Sequence, residues 1–99
     1  MKKITNIAQA GSMESSDAIV TVAPAEVGSG ISIDLQSSVI LQYGDAIRAV
    51  VEQTIKEQGV TDAQVKIVDR GALDYTLKSR TQAALSRAGV ELSGVSATK

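Results

Sequence analysis

Ile31-Ser32-Ile33-Asp34-Leu35-Gln36 alternates apolar and polar side chains without an exception. Successive side chains of a strand point to opposite faces, so a period of two reads as a β-strand with one dry face and one wet face. The period then changes. Val39, Tyr43, Ile47, Val50, Val51, Thr54 and Ile55 recur at three- and four-residue steps, the mark of an apolar stripe along a helix. Ser37 and Ser38 are residue types that favour a helix start. Gly44 inside this stretch costs a helix about 1 kcal/mol relative to alanine, which leaves two starts open, near Ser38 or near Asp45. Gly59 suits the position just past the helix end, and Lys56 suits its last turn. Gln64-Val65-Lys66-Ile67-Val68 restores the alternation. A strand, a helix and a second strand in this order imply a right-handed crossover onto one sheet.

Upstream, Ala18-Ile19-Val20-Thr21-Val22 is rich in β-branched residues and runs into Ala23-Pro24, which reads as a strand stopped by proline. Gly28-Ser29-Gly30 makes a flexible turn, so this strand and Ile31–Gln36 are expected to pair as an antiparallel hairpin. Met1 to Ala10 has no period and is expected to be extended or loosely ordered. Downstream, Asp69-Arg70-Gly71 closes the strand through Ile67. No proline or glycine follows from Ala72 to Ala88, and Leu73, Leu77, Ala84, Leu85 and Ala88 form a second helical stripe with Gly89 as its stop. A strand through Tyr75-Thr76-Leu77 is the competing reading. Val90 to Lys99 is small and polar, and residues 89–99 are expected to be a flexible tail. The expectation is one domain over 1–99, of α+β class: a two-layer structure with a small sheet of about three strands and two helices on one face.

Ninety-nine residues suffice for one core and leave no room for a separate catalytic domain. The composition, 43% hydrophobic and 21% charged, is that of an ordinary water-soluble domain, and no uncharged apolar run approaches a membrane span. Thr5, Asn6 and Gln9 interrupt the segment after Met1-Lys2-Lys3, so no signal-peptide core follows and a cytoplasmic location is expected. The chain has no histidine and no cysteine. That closes the Ser-His-Asp triad, the thiolate nucleophile, the usual zinc site and an imidazole base. A net charge of −1 with only two aromatic residues, Tyr43 and Tyr75, argues against nucleic-acid binding. The charges are uneven: from Ile4 to Asp62 eight acids face two bases, and from Ala63 to Ala88 five bases face two acids. A solvated surface and a docking face are both compatible with that division.

Gly11-Ser12-Met13-Glu14-Ser15-Ser16-Asp17 sets hydroxyl side chains between carboxylates ahead of the Ala18 strand. From the residues alone it is a polar turn or cap. The same stretch, however, resembles the attachment motif of the acyl carrier (gamma) subunit of citrate lyase. Ser37-Ser38-Val39, Gln42-Tyr43-Gly44, Ile47-Arg48, the run Val68-Asp69-Arg70-Gly71-Ala72-Leu73-Asp74, Arg80 and Arg87-Ala88 resemble further blocks of that family in the same order. Tyr75, where many relatives carry cysteine, and Ser79 depart from it. The resemblance implies that Ser15 carries a covalent phosphoribosyl-dephospho-CoA arm, with Ser16 as the rival position. It implies a non-catalytic carrier whose thiol bears acetyl or citryl groups while citrate is cleaved to acetate and oxaloacetate. The partners it implies are an alpha subunit (acyl transferase), a beta subunit (citryl lyase) and a holo-carrier synthase that attaches the arm. A carrier subunit of malonate decarboxylase, and a small interaction module with an unmodified loop, are the alternatives.

Three other features have plainer readings. Arg80 and Arg87 lie seven residues apart on one helical face, either as a docking patch or as solvated charge. Asp69 and Asp74 flank a glycine turn and a helix start, where acids are favoured without any catalytic role. Gly28-Ser29-Gly30 leads into a strand with no lysine after it, so it is no phosphate loop.

Overall fold

The computed structural model describes residues 2–93. Its elements are β1 (Ala8–Gly11), β2 (Ala18–Ala23), β3 (Ile31–Ser37), α1 (Ile40–Glu57), β4 (Ala63–Asp69) and α2 (Asp74–Arg87). The four strands form one sheet in the order β1-β2-β4-β3. Ala18, Val20 and Val22 of β2, Ala63, Val65 and Ile67 of β4, Leu35 of β3 and Ala10 of β1 are buried on one face. Gln64, Lys66, Ser32, Asp34 and Gln36 are exposed on the other. Both helices close the buried face, through Ile47, Val51, Thr54 and Ile55 of α1 and Leu77, Thr81, Ala84 and Leu85 of α2. The α+β class with two helices over one face of a small sheet is therefore as expected.

The strand count is four rather than three. Ala8-Gln9-Ala10-Gly11 has no β-branched residue and alternates over only four small or polar positions, and it becomes a strand by antiparallel pairing with β2, Ala8 opposite Val22 and Gly11 opposite Ile19. The expected hairpin between β2 and β3 does not form. β4 lies between them, antiparallel to β2 and parallel to β3. This middle position follows from the sequence of β4, which has more to bury: Ala63, Val65, Ile67 and Asp69 all lie inside, whereas β3 buries only Leu35 fully.

α1 starts at Ile40, the earlier of the two possible starts, and continues through Gly44, which is buried. Val39 caps it without a side-chain hydrogen bond. The serine expected to cap acts one step earlier: the Ser37 hydroxyl accepts from the Val39 N–H and donates to Asp69. Gly59 follows the helix with φ +82, the left-handed conformation in which glycine is favoured after a helix. α2 occupies the region predicted as the second helix, and no strand runs through Tyr75.

The N-terminal segment is anchored rather than loose. Lys2 bridges to Val60, Ile4 is buried, and the amides of Thr5 and Asn6 both donate to the Ala88 carbonyl. Of the expected tail, Val90 is buried and Ser93 is hydrogen-bonded in both directions with the Gln58 side chain. Residues 94–99 lie outside the described residues. Among the described residues no helix is long and apolar enough to cross a membrane, and no cluster of acids is arranged to hold a metal.

Candidate functional site

β1 and β2 are joined by residues 12–17, the stretch singled out in the sequence. Gly11 turns the chain with φ +113, a conformation for which a side chain is unsuited. The Asp17 N–H then donates to the Glu14 carbonyl at 3.1 Å, closing a four-residue turn with Ser15 and Ser16 at its centre. Ser16 has φ +64, the sign taken by the third residue of a type II turn. Its N–H donates to the Arg70 carbonyl at 2.8 Å, and the Arg70 N–H donates back to the Asp17 carbonyl at 2.9 Å. Ser16 is therefore the residue tied to the body of the protein. Ser15 is the tip. It is exposed, and its hydroxyl makes no hydrogen bond among the described residues.

Asp17 organises the turn from below. One carboxylate oxygen accepts from Arg80 Nε and the other from Arg80 Nη2, both at 2.9 Å, a bidentate fork from a helix 63 positions further along the chain. The Ser12 hydroxyl donates to the same carboxylate at 2.6 Å and the Ala18 N–H donates at 2.7 Å. These contacts, the Arg80 bonds foremost, hold the Asp17 carboxyl far below the ordinary carboxylate range, and Asp17 raises Arg80 in return. The charge of Asp17 is thus spent inside the protein. Glu14, next to Ser15, makes no ion pair among the described residues and is the turn's other carboxylate.

The remaining candidate residues have structural employment. Arg87 donates from Nη1 to the Gln9 carbonyl at 2.8 Å, so Arg80 and Arg87 share a helical face and both secure α2 to the β1–β2 hairpin. Neither is an unengaged docking cation. Lys78 reaches Glu57 at 3.6 Å, so the basic second half of the chain pairs in part with its own acidic first half. Asp69 is buried and accepts from the Ser37 hydroxyl at 2.8 Å and from the amides of Gly71 and Ala72 at 3.1 and 2.9 Å, which shapes the entry to α2. The amides of Gly28 and Gly30 both donate to Asp62, which lowers that acid's pKa and leaves no amide cradle for a phosphate. What the sequence did not reveal is the brace on the turn. Arg80 stood out there, yet nothing local linked it to Asp17.

A free hydroxyl on a braced hairpin tip, carried by a small one-sided domain, is the form expected of a carrier module. Residues 5–88 match the family described as "ACP: Malonate decarboxylase delta subunit (MdcD)". The relatives are more particular. The citrate lyase acyl carrier protein of Fusobacterium nucleatum subsp. nucleatum is 53% identical over 85 residues, covering 86% of this chain and 89% of that protein. Its namesake from Streptococcus mutans serotype c is also 53% identical over 85 residues, with 86% and 82% covered. This chain belongs to the family of citrate lyase acyl carrier proteins. Its fold is similar to that of a chain in the crystal structure of a Pseudomonas malonate decarboxylase hetero-tetramer in complex with malonate, with a TM-score of 0.72, 21% identity and 88% of each chain covered.

Proposed function

We propose that this chain is the one-domain acyl carrier subunit of a citrate lyase complex, modified on Ser15, itself without catalytic activity and working in the cytoplasm. The observation that supports Ser15 most directly is the division of labour within the turn. Ser16 is fixed by its amide and its left-handed backbone, while Ser15 is exposed at the apex with an unengaged hydroxyl. Such a residue fits a phosphodiester anchor, because nothing around it has to move to admit a bulky group and the nearest acid but one is already neutralised by Arg80. The absence of histidine and cysteine agrees with a serine activated by the base of a modifying enzyme, here a holo-carrier synthase.

In this reading the arm is phosphoribosyl-dephospho-CoA, and when bound it supplies a thiol on which acetyl is exchanged for citryl. The protein's own residues anchor it: Asp17, Arg80 and the Arg70 backbone hold the turn still so that the arm moves and its root does not. The partners are enzyme subunits, an alpha subunit for acyl transfer and a beta subunit for citryl cleavage. A carrier of malonate decarboxylase is the second reading, favoured by the family description that matches residues 5–88. The acyl group recovered from the thiol separates the two.

The test is the intact mass of the chain isolated from cells grown on citrate. The reading expects the arm's added mass on the wild-type protein and on Ser16→Ala, and none on Ser15→Ala. An arm retained by Ser15→Ala and lost from Ser16→Ala moves the anchor to Ser16. An unmodified wild-type chain in an active complex overturns the carrier reading.

A further inference from the structure

Two residues that fall on the apolar stripes in sequence stand outside the core. Tyr43 is 54% exposed and Leu73 is 58% exposed, and together with Tyr75 they wall an open groove of about 700 Å³ between the first turns of α1 and α2. Val39, Ile47 and Ala72 give it a hydrocarbon lining. Asp69 borders it, but its carboxylate is already engaged by three donors. The hydroxyls of Tyr43 and Tyr75 make no hydrogen bond among the described residues.

The groove opens at the same end of the sheet as the Ser15 turn. Gly11 lies opposite Ile19, Ala18 opposite Asp69, and Asp69 opposite Ser37. The β1–β2 turn, the β4–α2 connection and the β3–α1 junction therefore emerge side by side in that order, each about one strand spacing of 5 Å from the next. Between the turn and the groove lies Arg70, whose backbone holds Ser16 and whose exposed side chain makes no ion pair among the described residues.

We infer that this groove receives the thiol-bearing end of the arm on Ser15, which folds back past Arg70 between visits to partner subunits. The inference rests on the reading of Ser15 as the anchor. The last part of a coenzyme-A-type arm is a thin chain of methyl and methylene groups interrupted by two amides. The carbon lining suits the first and the tyrosine hydroxyls suit the second, while Arg70 offers a cation beside the arm's phosphates. The volume lies within the range of small-molecule sites. Because the arm is tethered, its effective concentration at the groove is on the order of millimolar. A groove of millimolar affinity is then about half filled, enough to shield a thioester from water and still release it to a partner.

The test uses the full chain loaded with its arm, with loading verified by intact mass and the thiol reduced. The chain has two tyrosines and no tryptophan, and both tyrosines wall the groove, so tyrosine emission reports on this site alone. Ala46 is an exposed residue of α1 at the groove, and Ala46→Leu fills the space with only a small loss of helix propensity. The arm thiol is expected to react with iodoacetamide about twofold faster in Ala46→Leu than in the wild type, and loading is expected to change tyrosine emission in the wild type but not in the variant. Equal alkylation rates, or tyrosine emission that loading does not alter, overturn the groove site. A chain that acquires no arm overturns instead the carrier reading beneath it.

Discussion

Arg80 and Asp17 meet through two parallel hydrogen bonds of 2.9 Å, so that the last helix of the chain grips the first hairpin turn at its base. The fork has geometric as well as electrostatic value, since a planar guanidinium fixes the carboxylate in orientation as well as distance. Arg80→Met is expected to lower stability by about 1–2 kcal/mol; the Arg80 side chain is 39% exposed, so solvent offsets part of the attraction. Arg80→Lys keeps the charge without the fork and should recover part of that loss. Urea unfolding measures both. Amide exchange at Ser16 and Arg70, whose bonds close the turn, should quicken in Arg80→Met and stay slow in the wild type.

Acid should find the same pair. The folded Asp17 carboxyl lies below its ordinary value of 3.8, held there first by Arg80 and then by Ser12 and the Ala18 amide. Its stabilisation is therefore complete above that ordinary value and is lost as pH falls through it toward the depressed folded one. Asp62, also lowered by its two glycine amides, adds to the same limb. The chain has no histidine, so stability should be flat from about pH 5 to 8. Asp17→Asn should flatten the decline below pH 4, read as unfolding midpoints across a pH series. An acid limb unchanged in that variant would refute the assignment to Asp17.

Gly11 cannot be replaced cheaply. A methyl at this position meets the backbone carbonyl of Ala18, and φ is +113. Gly11→Ala is expected to cost about 2–3 kcal/mol. Gly28 also has positive φ, +88, but faces open space, and Gly28→Ala should cost only about 1 kcal/mol. Comparing the two unfolding midpoints separates steric closure at the hairpin from simple backbone preference.

Asp69 is the buried counterpart of Asp17. Asp69→Ala leaves the Ser37 hydroxyl and the amides of Gly71 and Ala72 without their acceptor. The expected loss is about 2–4 kcal/mol. At roughly 4–8 °C per kcal/mol for a domain of this size, calorimetry should register a fall of about eight degrees or more. A fall of only a degree or two would mean that water replaces the carboxylate without cost.

Periodicity made most of the fold readable. β3, β4 and both helices announce themselves because their burial repeats at two or at about three and a half residues. β1 does not, since Ala8-Gln9-Ala10-Gly11 has no preference of its own and becomes a strand only once β2 lies beside it. The order of the strands was hidden for a related reason. Neighbours in sequence are good guesses for neighbours in a sheet, and here β4 enters between β2 and β3 after α1 returns the chain. Tyr43 and Leu73 show the limit of a stripe: spacing finds the face of a helix, but not where the neighbouring element stops covering it. In the site, the polar turn was legible from residues 11–17, Ser15 was singled out there only by the family resemblance, and the brace 63 positions away was not legible.

The central place of β4 also bears on when the protein becomes itself. Neither β2 nor β3 can find its principal partner until Asp69 has been synthesised, and Arg80 comes later still. Contacts so distant along the chain are made late and slowly. A nascent chain therefore displays the Ser15 segment long before that segment has a shape, and acquires the shape only as the last helix docks. If Ser15 carries the arm as proposed, a modifying enzyme that reads the finished turn would pass over incomplete or misfolded chains, and the geometry of the hairpin would serve as a seal of completion.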